Sequence, residues 1–130
     1  MLRIVLVVCL LFSLTAVVRP QGRSRAWLNG NWEGTGYQID TDSTWTMRLR
    51  VRGRRFSIEY PSLNCGGRWT LLGINSTRAR FREKIASGRG ECADKGNVVI
   101  EKLSGRQVAF RYSYPGTSEV SASAILNRKK

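Results

Sequence analysis

Two rows of cations are the first residues in this chain whose types and spacing could do chemistry. Arg48, Arg50, Arg52, Arg54 and Arg55 form one, and Arg78, Arg80, Arg82 and Lys84 the other. Both lie in stretches where basic and other residues alternate, so in an extended chain each row shares one face, with side chains about 7 Å apart. A guanidinium's planar fork engages two oxygens of a phosphate, sulfate or carboxylate at once. Rows this dense therefore suit an anionic surface, a polyanionic glycan or an acidic protein. The plainer reading is a solvated outer face that keeps strands from pairing with other chains. A solubilising face usually mixes signs, however, and the first row has no acid among its five basic residues.

Glu83 is the second candidate. Strand parity places it on the apolar face between Phe81 and Ile85, where an ionised carboxylate needs a partner or a raised pKa. Arg68 and Arg128 are the cations nominated to pair with it. Alternatively, Glu83 contacts an interior ligand. Gly34, Gly36, Ala122 and Ala124 are small residues that imply either close packing or a small interior cavity. Trp45, Trp69, Phe110 and Tyr112 read as core.

Catalytic chemistry finds no support. The chain has no histidine, no serine in a nucleophile motif and no second inward carboxylate to pair with Glu83 for glycoside chemistry. Zinc wants about four Cys, His or carboxylate ligands, and a chain without histidine in which Cys65 and Cys92 read as paired is a poor source of them. No catalytic residue, metal or cofactor is expected, and the chain reads as a non-enzymatic binding module.

The elements that must position these residues are strands. Period-two alternation predicts segments near Trp32–Asp40, Trp45–Arg52, Phe56–Tyr60, Gly67–Leu72, Thr77–Ile85, Val98–Leu103, Gln107–Tyr114 and Glu119–Asn127, separated by Gly, Pro and Asp turns. Each has one apolar face. The expectation is an all-β domain, an eight-stranded antiparallel meander closed as a small barrel, which buries that face and removes free edges. A β-sandwich is the alternative.

The chain opens with Arg3 and an apolar run, Ile4 to Val18, too short for a span of roughly 20 residues but right for the core of a signal peptide. A small-x-small site at Ser24-Arg25-Ala26 sets the expected division: signal peptide 1–26, then a single barrel domain, 27–130, secreted or periplasmic and without a transmembrane span. A retained N-terminal anchor is the alternative. Export leaves Cys65 and Cys92, and two cysteines in an oxidising compartment most often form one disulfide. It also takes four arginines from the 22 basic residues, leaving 18 against 9 acids, a balance of +9. Such a charge favours acidic partners, and export argues against nucleic acid being one of them. Asn75-Ser76-Thr77 is a glycosylation sequon, meaningful in a eukaryotic source.

Gly30-Asn31-Trp32 near the first strand, with Arg128 just past the last, resembles the Gly-x-Trp and closing arginine of calycin barrels (lipocalins, avidins and some bacterial protease inhibitors). The resemblance implies that Arg128 packs over Trp32 as a cation–π contact where first and last strands meet. Tyr60-Pro-Ser-Leu-Asn-Cys-Gly-Gly67, Phe81-Arg-Glu-Lys-Ile85 and Gly90-Glu-Cys92 are also similar to small extracytoplasmic β-domains of bacteria, which implies export and a disulfide. The functional expectation is recognition of an acidic macromolecule, surface or protein through the arginine faces. The alternatives are calycin-style binding of a small molecule near Glu83, and inhibition of a protein through a loop at Asn64–Arg68 tethered by Cys65.

Overall fold

The computed structural model describes residues 26–130. The expected signal peptide, with Cys9, and the possibility of its retention as an anchor lie outside the described residues. A 3₁₀ turn, Ala26–Leu28, leads into eight strands: β1 (Gly30–Gln38), β2 (Ser43–Arg52), β3 (Arg55–Tyr60), β4 (Cys65–Ile74), β5 (Arg78–Ser87), β6 (Asn97–Lys102), β7 (Gln107–Ser113) and β8 (Ala122–Arg128). Each pairs antiparallel with the next, and β8 returns to β1 to close a barrel. The sandwich alternative is thereby excluded.

The alternation explains the closure. Along β2, Trp45, Met47, Leu49 and Val51 are buried while their neighbours are exposed, and β3 and β5 repeat the pattern. A sheet apolar on one side buries that side most completely by curling onto itself. Every strand differs from its expected bounds by one to three residues at one end or both, and three of these shifts bear on the site. β1 begins at Gly30, which pairs with Val51. β4 begins at Cys65, so of the Asn64–Arg68 segment expected as a loop, Cys65–Arg68 is paired strand. β8 begins at Ala122, because residues 114–121 form the β7–β8 connection.

One end of the barrel is sealed. Leu28 and Trp32 are fully buried there, and Trp32 Nε1 donates to the Leu28 carbonyl at 2.9 Å. The Arg128 guanidinium lies 4.2 Å from the Trp32 ring centroid. It also donates to the carbonyls of Gly105 (3.0 Å), Trp27 (2.8 Å) and Asn29. This is the closure contact that the Gly30, Trp32 and Arg128 spacing implied. Gly30 admits no side chain: its φ is +125°, and a Cβ would meet Arg128. Farther along the seam the Trp45 ring covers Gly36, where a Cβ would sit 2.3 Å from it. The small residue there serves close packing.

The other end is a mouth formed by the loops after β1, β3, β5 and β7. Cys65 and Cys92 form the expected disulfide, Cα–Cα 6.3 Å, tying the β5–β6 loop to the start of β4. Among the described residues, no helix is long and apolar enough to cross a membrane.

Candidate functional site

The two arginine rows lie on the outside of the barrel. Arg48, Arg50 and Arg52 project outward from β2, and Arg78, Arg80, Arg82 and Lys84 from β5. The first row does not continue on one strand past Gly53. Arg54 belongs to the β2–β3 turn and Arg55 to β3, directly across from Arg52.

Strands β3 and β4 separate the two rows, and register shows how the gap is bridged. Arg50 faces Ser57, Ser57 faces Arg68, and Arg68 faces Lys84. These four outward residues cross four neighbouring strands, a sweep of about 14 Å at the usual strand spacing. Arg68 is therefore exposed and part of the outer face, not an inward partner for Glu83. Its strand parity, opposite to that of buried Cys65 and Trp69, is the signal that marks it as outward.

Between Ser43 and Ser87 stand ten basic residues, while Glu59 is the single outward acid. Glu33, on β1, takes Arg48 at 3.3 Å and Lys129 at 2.9 Å, and Glu101 takes Arg111 at 2.8 Å. The Lys129 hydrogen bond holds the Glu33 carboxyl below its usual pKa, aided by the charges of Lys129 and Arg48. Among the described residues, Arg48 is the one member of either row in an ion pair, while Glu59 stands across from Arg48 and Glu101 across from Arg78.

Glu83 points inward, as parity implied, and is 2% exposed. Its partners are neither Arg68 nor Arg128, the latter being engaged at the sealed end. Tyr60 Oη donates to Glu83 Oε2 at 2.5 Å, and Trp69 Nε1 donates to the same oxygen at 2.8 Å. Neutral donors replace the expected cation because an arginine brought into this interior would itself need desolvating. Burial pushes the Glu83 pKa up, the two hydrogen bonds oppose that rise, and the negative charge of Asp94 adds to it. Burial, reinforced by the neighbouring carboxylate, also raises the Tyr60 phenol well above its usual value.

Glu83 lines a cavity of about 230 Å³ that opens at the mouth. Trp45, Tyr60, Phe110, Tyr112 and Tyr114 supply aromatic walls, and Ala122 lies at the seam. Of the aromatic residues read as core, Trp45, Phe110 and Tyr112 are also cavity wall, whereas Trp69 is core alone. Ala122 meets the cavity expectation, whereas Gly36 meets the packing one. At the rim, Asp40 accepts hydrogen bonds from Gln38 at 2.6 Å and Tyr114 at 2.9 Å, which keep its pKa low. Among the described residues no group of three or more His, Cys, Asp or Glu side chains could hold a metal ion.

The molecule therefore offers two arrangements with chemical potential, a basic exterior on β2–β5 and a polar pocket within the mouth. No family model, curated protein or solved structure matches this chain.

Proposed function

We propose that this protein is an extracytoplasmic, non-enzymatic binding module whose β2–β5 face recognises an anionic polymer or surface. The observation that carries this reading is the register Arg50–Ser57–Arg68–Lys84, which merges the two rows into one face. Isolated rows would contact a polyanion one at a time. A merged face lets several guanidinium groups engage together, and association releases one counterion set per neutralised charge. The Cys65–Cys92 disulfide supports an oxidising compartment, in keeping with the signal peptide read in the sequence. The eight-stranded barrel and the Arg128–Trp32 contact support kinship with calycin barrels.

Binding of the purified protein to heparin and to anionic liposomes across a salt series tests this function. Arg50/Arg68/Lys84→Ser cuts the row where the strands join it. Lys102/Arg106/Lys130→Ser removes the same charge from elsewhere on the exterior. The wild-type protein should bind with strong salt dependence. The first triple variant should bind roughly tenfold or more weakly, with its log–log salt slope reduced by about two to three. The second should lose far less. Equal losses in both variants would reduce the face to undirected net charge, and salt-insensitive binding would remove it from recognition altogether. Heparin and liposome arms separate a sulfated glycan from a lipid headgroup as the source of the anions.

A further inference from the structure

We infer that the mouth cavity is a second binding site, built for a small organic ammonium ion. Three independent features of the cavity select that class. The first is the buried carboxylate. Both hydrogen bonds that Glu83 accepts land on Oε2, and no hydrogen bond among the described residues lands on Oε1. Glu83 nonetheless lines the cavity, so Oε1 is an acceptor whose natural complement is an N–H carrying positive charge.

The second is the wall. Trp45, Tyr60, Phe110, Tyr112 and Tyr114 surround the same space, and aromatic faces attract a cation most strongly where water is excluded. Tyr112 adds an unpartnered polar group to this wall. It is 7% exposed, and its hydroxyl is buried without a hydrogen-bond partner among the described residues. Buried polar groups are almost always paired in folded proteins. The orphaned oxygen lies against Gly96, whose carbonyl accepts the Glu83 backbone N–H at 2.9 Å.

The third is the sorting of charge over the barrel. Five of the nine acids, Asp40, Asp42, Glu91, Asp94 and Glu119, belong to the mouth loops against two cations there, Arg89 and Lys95, whereas the basic face lies along the flank. A cation approaching the mouth meets a favourable field, and an anion is drawn to the flank. The cavity volume of about 230 Å³ falls below the roughly 300–1,000 Å³ of sites for drug-sized ligands. The guest is accordingly a compact amine with an apolar body.

Titration of the protein with 2-phenylethylamine, 2-phenylethanol and 3-phenylpropanoate, followed by tryptophan fluorescence and calorimetry, varies guest charge at nearly constant shape. The ammonium should bind at least about tenfold tighter than the alcohol, and the carboxylate should not bind. Glu83→Gln should abolish the preference of amine over alcohol, while Arg50/Arg68/Lys84→Ser should leave amine binding unchanged. That last arm keeps this site separate from the polyanion face, so either can fail alone. Equal binding of the three probes, a preference for the alcohol or carboxylate, or binding of none would overturn the inference. The wild-type series decides the matter by itself if Glu83→Gln does not fold.

Discussion

Trp32→Ala should lower the stability of the barrel by about 3–5 kcal/mol, a large share of the roughly 5–15 kcal/mol that holds a domain folded. Trp32 is 1% exposed and joins three parts of the sealed end. Its ring packs in the core beside Leu28, its N–H satisfies the Leu28 carbonyl, and its outer face carries the Arg128 guanidinium. Removing the ring opens a cavity and leaves that carbonyl and the cation above it without their partner. Trp32→Phe separates these effects: most of the packing stays, the N–H donor goes, and the loss should fall to roughly 1–2 kcal/mol. Arg128→Lys should be intermediate. Arg128 uses Nε, Nη1 and Nη2 on three different carbonyls, a fan of donors that a lysine ammonium cannot reproduce. Urea unfolding followed by far-UV circular dichroism measures all three. A Trp32→Ala loss below about 1 kcal/mol, or an Arg128→Lys loss exceeding it, would show that the end is held by something other than this contact.

That closure was legible in the sequence because it depends on residue types whose roles are narrow: a glycine where φ is positive, a tryptophan on the inward parity of β1, an arginine at the end of the last apolar strand. The strands were legible for a similar reason. Period two in Trp45–Arg52 and Thr77–Ile85 is almost free of exceptions, and a strand buried on one face has no other way to satisfy it. What the sequence could not show was lateral register. Arg68 sits in a glycine-rich segment with a weak alternation, and β4 pairs with β5 through irregularities at Gly66/Gly67 and Leu71/Gly73. Parity against Cys65 and Trp69 marks Arg68 as outward, but such steps hide which residues of β5 it stands beside, and so hide the link between the two rows. Glu83 itself was placed correctly by parity, yet its partners were not foreseen. Opposite charge is the first remedy that comes to mind for a buried carboxylate, but the phenol of Tyr60 and the indole of Trp69 satisfy it without bringing a second charge into the core. The cavity depends on how aromatic side chains from β2, β3 and β7 converge, a three-dimensional property that no single strand displays.

Glu83 should also give the fold an unusual pH profile. Its pKa in the folded state is raised above the usual 4.5, so the native state retains a proton that the unfolded chain has already released. The stabilisation is complete below that usual value and is lost as pH rises through the folded pKa, with a slope of up to about 1.4 kcal/mol per pH unit for one proton. The groups acting on Glu83 fit this direction: burial dominates, Asp94 adds to it, and Tyr60 and Trp69 oppose it. Glu33, Asp40 and Asp94 act in the other window. Their pKa values are lowered, so their contribution is present at neutral pH and is lost on acidification below the usual carboxylate range. Tyr60, Tyr112 and Tyr114, raised above the usual 10.0, act only in strong alkali. Stability should therefore climb out of acid, pass a maximum in the mildly acidic range, and decline toward neutrality. Glu83→Gln keeps an oxygen for the Tyr60 and Trp69 donors and cannot ionise, so the declining limb should vanish while the acid limb remains. Glu83→Leu also removes the limb but strands both donors, lowering stability at every pH by about 1–3 kcal/mol for each unpaired group. Urea midpoints between pH 3 and pH 9 for the three proteins distinguish these outcomes. A declining limb that survives in Glu83→Gln would assign it to another group, and a Glu83→Leu protein as stable as wild type would mean that Tyr60 and Trp69 find other acceptors once the carboxylate is gone.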